Sequence, residues 1–202
     1  MLVSTKQKQI AELAKNNPAM AFTSLSHHID EEWLFRAYEL TRKDGAVGVD
    51  KQTAADYGRE LDINLKKLLG RIRSGKYRAP AIRRVYIPKG DGGLRPLGIP
   101  TFEDKIVQRA VVMLLEPIYE QDFYECSFGF RKKRSAHMAL ESLRNHIMRD
   151  KGRWVFDVDL QKYFDTINHQ HLRKFIARRV VDGVIRKLID KWLNGMATLF
   201  RT

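Results

Sequence analysis

Residues 79–100 read APAIRRVYIPKGDGGLRPLGIP, and the organisation of the chain turns on this stretch. Two short β-like runs, IRRVYIP and LRPLGIP, flank residues 89–93, where the Asp91-Gly92 step is the signal of a tight hairpin turn. Pro88, Pro96 and Pro100 have no amide hydrogen to give to a ladder, so the ribbon is confined to an edge or a projection. Residues 71–95 carry eight basic side chains against one acidic. The reading is a projecting, basic, glycine-tipped hairpin.

On its C-terminal side the pattern returns to helix. Over 103–120 a broad apolar stripe of Ile106, Val107, Ala110, Val111, Leu114, Leu115 and Ile118 predicts a buried helix. An aromatic stretch ending in Phe128-Gly129-Phe130 leads into Arg131-Lys132-Lys133-Arg134, with at least one of the two phenylalanines expected in the core. Ser135 is placed to cap a helix packing through Ala136, Leu140, Leu143 and Ile147. The run RWVFDVD at 153–159 alternates as a strand does, with Asp157 and Asp159 on one face and Trp154, Phe156 and Val158 on the other. Asn168 or Thr166 caps a helix packing through Leu172, Phe175 and Ile176, and a last helix carries Val184, Ile185, Leu188, Ile189 and Trp192.

On its N-terminal side three helical segments look peripheral. One covers 4–15 and stops at Asn16-Asn17-Pro18; a second starts from an Asp30 cap with Trp33, Leu34, Ala37 and Tyr38 on one side. The third runs through Tyr57, Leu61, Leu65, Leu68 and Ile72.

Composition bounds the function classes. The 202 residues hold 37 Lys+Arg against 24 Asp+Glu, a formal net charge of +13, with 44% hydrophobic positions, which argues against disorder. Residues 1–70 are neutral, 71–95 carry +7, 96–130 carry −4 and 131–202 carry +10. Two basic blocks around an acidic one suit a surface that meets a polyanion at particular places, because clustered cations displace condensed counterions from phosphates. No apolar run is long enough to span a membrane and no secretory signal precedes the first helix, so a soluble, cytoplasmic protein is expected. The single Cys126 excludes an internal disulfide and a multi-cysteine zinc site, and its acidic, aromatic neighbours do not suit a nucleophile. His169 and His171 lack the partners of a zinc site.

A glycine-rich basic ribbon can hold phosphates, and carboxylates on a rigid strand can hold Mg²⁺, a hard ion that takes oxygen ligands. The strings RRVYIPKGDGGLRPLGIPTFEDKIVQRAV at 83–111, SFGFRKKRSAHMAL at 127–140 and VFDVDLQKYFDTINH at 155–169 together resemble the first three blocks of the reverse transcriptases encoded by group II introns, in order and at similar spacing. The resemblance implies an α+β fold: right-hand polymerase fingers with an incomplete palm, helix-rich, with a basic β-hairpin and a palm strand. It divides the chain into a helical N-terminal extension at 1–70, fingers at 71–150 and the start of the palm at 151–202. The implied activity is RNA-directed DNA polymerisation, nucleotidyl transfer from a dNTP to a primer 3′-OH, with Mg²⁺ as cofactor. Implied partners are an RNA template, a DNA primer, dNTP and intron RNA.

Residue by residue, the resemblance makes Lys89 and Arg95 contacts of the incoming triphosphate, Asp159 the metal-binding carboxylate and Leu160 a main-chain metal ligand. It makes Phe164 the gate that rejects a ribose 2′-hydroxyl, and Arg131 a contact of template phosphate. After residue 195 the family continues with a PQG block, a YADD-like hairpin carrying two further metal-binding aspartates, and a thumb; no Tyr-x-Asp-Asp occurs in these 202 residues. The chain alone is therefore expected not to hold two catalytic metals or extend a primer. The alternative reading is a non-catalytic, maturase-like module that grips structured RNA.

Overall fold

A computed structural model describes residues 2–88, 90, 92–150 and 154–197. In chain order its elements are α1 (Val3–Asn16), a 3₁₀ turn (Ser26–His28), α2 (Glu31–Leu40), α3 (Ala54–Gly58) and α4 (Leu61–Arg73). Then come β1 (Arg83–Pro88), β2 (Leu94–Ile99), α5 (Phe102–Tyr119), α6 (Ala136–Asp150), α7 (Tyr163–Thr166), α8 (His169–Arg179) and α9 (Gly183–Ala197). The fold is helix-rich α+β with a two-stranded antiparallel hairpin. No helix among the described residues is long and apolar enough to cross a membrane.

The core is built around α5. Ile106, Val107, Ala110, Leu114 and Ile118 recur at helical spacing and are buried, with α1 and α2 packed against them. Trp33, Leu34 and Ala37 of α2 are also fully buried, and the Trp33 indole N–H donates to the Ala110 carbonyl at 3.0 Å. The N-terminal helices are thus central to the core, not peripheral: their apolar stripes and that of α5 cover one another. Asp30 caps α2 by accepting the Trp33 amide hydrogen at 2.8 Å. The third N-terminal helix is two: a Thr53–Asp56 capping box opens α3, which ends at Gly58, and the chain turns at Arg59 and Glu60 before α4.

The segment around 180 closes the core from the far end of the sequence. Phe22 and Val180 form a parallel bridge, and a buried ion lies to each side of it. The Arg179 guanidinium donates to the carbonyl of Ala14 in the last turn of α1 and to those of Asn17, Pro18 and Met20 just beyond it, and pairs with Asp122 at 2.9 Å. The Asp182 carboxylate takes the amide hydrogens of Leu25 and Ser26 on one oxygen and those of Val184 and Ile185 on the other, so one side chain caps α9 and fastens the 3₁₀ turn. Further along α9, Lys191 reaches the Gly75 and Tyr77 carbonyls and the Trp192 indole donates to Asp104 at 2.8 Å. Asp104, buried in the first turn of α5, also accepts from Tyr77 and from Gln108. Burial beside that carboxylate pushes the Tyr77 phenol far above its usual range, so it stays a donor.

Two expectations fail in the stretch from 136 to 175. Residues 154–160 form no strand: among the described residues the only sheet is the hairpin, so a segment here finds no ladder for its main-chain groups. And α6, capped by Ser135 as expected, leaves Leu140, Leu143 and Ile147 exposed, as α8 leaves Phe175. Their apolar periodicity is real, but the rest of the described chain does not cover it.

Candidate nucleic-acid interface

The hairpin is the best-formed part of the site. Its register runs from Arg83 opposite Ile99 to Pro88 opposite Leu94, which leaves a five-residue connection, 89–93, in place of a two-residue turn. Gly92 sits there at φ +81°, in the left-handed region that favours glycine. The outer half of the ribbon is exposed, including Tyr86, Ile87, Leu94 and Leu97, and Arg95 is exposed opposite Ile87. Among the described residues Arg95 has no ion-pair partner, so its planar fork of donors is open to a phosphate. Lys89, its expected companion, lies outside the described residues.

What holds the ribbon in place was not legible from the motif alone. The loop between α2 and α3 is stitched under the hairpin base: Arg83 donates to the Val47 carbonyl at 2.9 Å and Lys105 to the Ala46 carbonyl at 2.7 Å. Burial lowers the Lys105 ammonium from its ordinary value. Gly48 lies against the main chain at the root of β2, where an added Cβ would fall 2.6 Å from the Thr101 Cα and 2.7 Å from its nitrogen. Only a residue without a side chain fits that approach. A glycine in a loop of mixed polarity gives no periodic signal, which is why Gly48 is invisible to pattern reading.

The template segment is organised differently from the expectation. Arg131 does not project. Its side chain is 5% exposed and its donors are taken by Glu120 at 2.7 Å and by the carbonyls of Tyr124 and Ser127 at 2.9 and 2.8 Å. The hydrogen-bonded Glu120 carboxylate raises the Arg131 guanidinium above its ordinary value. The guanidinium expected on a template phosphate is committed within the chain, where it ties the 124–127 turn to the end of α5. Lys132 pairs with Glu116 at 2.6 Å and Arg134 with Glu125, so the acidic block before 131 neutralises three of the four cations that follow it. Neither phenylalanine joins the core: Phe130 is fully exposed with φ +57°, and Phe128 is half-buried under the Arg134 guanidinium at 5.4 Å.

The residues expected at the chemical centre lie on the irregular stretch and the short helix after it. Asp157 and Asp159 are exposed on 154–160, and without a strand nothing holds the two carboxylates on one face. Phe164 stands on α7 at 81% exposure, its ring edge-on to Tyr163 with centroids 5.4 Å apart. Leu160 lines a groove of about 400 Å³ with Tyr163, Ile167, Leu172 and Phe175. The oxygen donors at Asp159 and the Leu160 carbonyl are of the right kind for Mg²⁺, but no group of three or more His, Cys, Asp or Glu that could hold a metal occurs among the described residues. A hard ion that takes six oxygens is not accommodated by two donors on an exposed stretch.

The family profile described as "Reverse transcriptase (RNA-dependent DNA polymerase)" matches residues 87–201, more than half of the chain. The chain is 38% identical over 202 residues to Protein YkfC of Escherichia coli (strain K12), a match covering 96% of this chain and 53% of that protein. It is 34% identical over 193 residues to the Group II intron-encoded protein LtrA of Lactococcus lactis subsp. cremoris, covering 93% of this chain and 31% of LtrA. Over 97 residues, 48% of this chain and 12% of the relative, it is 34% identical to Nuclear intron maturase 2, mitochondrial, of Arabidopsis thaliana. The chain therefore spans about half the length of one relative and a third of another. With three sequence blocks in order, a family match that covers the hairpin tip through α9, and intron-encoded relatives over nearly all of its length, the chain belongs to the reverse transcriptase family, among the group II intron-encoded reverse transcriptases and maturases.

Proposed function

We propose that the chain supplies the fingers and the first part of the palm of an RNA-directed DNA polymerase of the group II intron type, and that by itself it binds RNA without copying it. What supports this reading is the hairpin: an exposed ribbon whose Arg95 has no ion-pair partner among the described residues, fastened at its base to the helical core. In the complete site Arg95 and Lys89 bind the dNTP triphosphate, and Phe164 excludes a 2′-hydroxyl by clash. In that complete site Asp159 and the Leu160 carbonyl would be two of the oxygens that hold Mg²⁺, and the ion would supply Lewis-acid chemistry for nucleotidyl transfer there. Arg131 holds the template-side turn in shape rather than touching phosphate, as its internal bonds indicate.

The test uses the purified chain. RNA binding followed by anisotropy is expected to weaken steeply between about 50 and 200 mM salt, and no Mg²⁺-dependent dNTP incorporation on a primed RNA template is expected. Asp159→Ala should leave RNA affinity within about twofold or slightly improved, since it removes a negative charge. Robust incorporation by the chain alone, or a loss of RNA affinity in Asp159→Ala as large as that from neutralising the basic hairpin, would overturn the reading.

A further inference from the structure

Two consecutive residues of α9 hold the two legs of the hairpin. Tyr77 lies on the leg that enters β1 and Asp104 just past the leg that leaves β2, and the Tyr77 phenol donates to the Asp104 carboxylate, so the legs are joined below the ribbon. Both side chains are buried. From α9 the Lys191 ammonium donates to the Gly75 and Tyr77 carbonyls on the first leg, and the Trp192 indole donates to Asp104 at 2.8 Å on the second. Successive side chains on a helix point about 100° apart, so a single turn of α9 reaches both legs at once. One oxygen of Asp104 accepts from both Tyr77 and Trp192, and the other accepts from Gln108 at 2.8 Å. Charge-assisted hydrogen bonds shielded from water hold their geometry firmly. Beyond this base the outer half of the ribbon is exposed, so its direction is inherited from the place where the legs are held.

We propose that Lys191 and Trp192 are positioning residues: acting through Tyr77 and Asp104, they fix the base of the hairpin and with it the place of Arg95. The bonds on the other side of the base, Arg83 to Val47 and Lys105 to Ala46, tie the ribbon to the loop between α2 and α3 but do not join its legs. Helix α9 and the hairpin are then coupled. A ligand that binds the clasped ribbon more tightly than a loosened one strengthens the hold of α9 by the same free energy. The inference rests on the functional reading above in taking Arg95 as the group so placed.

The experiment follows amide exchange by mass spectrometry in the full chain and its variants, with and without a primed RNA template. Trp192→Phe keeps a ring and drops the donor; Lys191→Met keeps the stem and drops the ammonium. In the double variant the ladder amides of β1 and β2 are expected to exchange about tenfold faster or more, while those of α1 and α2 keep the parent rate. Residues that served only overall stability would speed exchange in all four elements alike. Asp104→Asn is expected to keep the parent rate, because its amide oxygen still accepts from Tyr77 and Trp192 and its nitrogen donates to a turned Gln108 side chain. Bound RNA should slow exchange in α9 of the parent and not in that of the double variant. Parent-like exchange of the hairpin in the double variant, equal acceleration in α1 and α2, or RNA that protects the hairpin of the parent without protecting α9 would each overturn the inference. A hairpin that loosens as expected, with RNA protecting neither it nor α9, leaves the clasp standing and overturns the functional reading instead.

Discussion

Asp182 carries more of the fold than its single charge suggests. Burial works to raise its carboxyl, but the amides of Ser26, Ile185 and Leu25 outweigh that and hold it below its ordinary value. A carboxyl depressed in the folded state adds stability above its unfolded pKa, and that contribution is lost as pH falls through the folded value. Asp182→Ala is therefore expected to cost about 3 kcal/mol at pH 7, from four amides left without their acceptor, and the gap to the parent should narrow below about pH 4. Urea unfolding at the two pH values measures both. Gly48 is a second single-residue dependence, of a steric kind. Gly48→Ala puts a methyl group against main-chain atoms that cannot swing aside. A loss of about 1 to 3 kcal/mol is expected, with faster proteolysis at the base of the hairpin than at its tip.

Among the elements, the hairpin and α5 were the most legible in sequence, because each is settled by local chemistry. A turn-forming glycine cluster between alternating runs specifies a ribbon, and a broad apolar stripe specifies a buried helix. Asp30 and Ser135 are caps as expected, and of the two alternatives Thr166 and Asn168 the cap of α8 is Asn168. Asp182 offered the same signal, an Asp-Gly step before Val184 and Ile185, and went unread. What periodicity does not carry is the identity of the surface that covers an apolar face, so α6, Phe175 and the 153–159 run were all read as packed or paired. Nor does it show where a cation is spent: Arg131 beside SFGF looks like a phosphate contact until Glu120 is seen on it. Arg95 lies exposed on β2, opposite Ile87. Under the proposed function, Arg95→Ala in a polymerising form of the enzyme is expected to raise the KM for dNTP about tenfold or more, through loss of a charge-assisted fork. Steady-state kinetics at fixed template checks it.

At the scale of the whole molecule, the net +13 overstates the surface available to a polyanion. Three of the four cations at 131–134 are answered by Glu116, Glu120 and Glu125, which leaves the hairpin as the clearer positive feature. The neutral N-terminal region is the opposite case: it contributes no net charge but supplies α1 and α2 to the central core. Deleting residues 2–25 would uncover Trp33, remove the carbonyls that hold Arg179 and strand the Asp182 carboxylate. The expected result is loss of cooperative unfolding, read as a broad thermal transition by circular dichroism, rather than a trimmed but intact domain.

The Phe22–Val180 bridge has a consequence in time as well as in space. It joins residues that a ribosome makes far apart, and Arg179 and Asp182 deliver their hydrogen bonds to 14–26 only once both have been made. While the chain is being synthesised, α1, α2 and α5 can collapse on one another, but the α1 carbonyls and the Leu25 and Ser26 amides still lack these partners. Long-range closure of this kind slows folding and prolongs the life of partly assembled states. The last step in forming this core is thus the arrival of its C-terminal helices, and a nascent chain halted before residue 179 should remain protease-sensitive at residues 14–26.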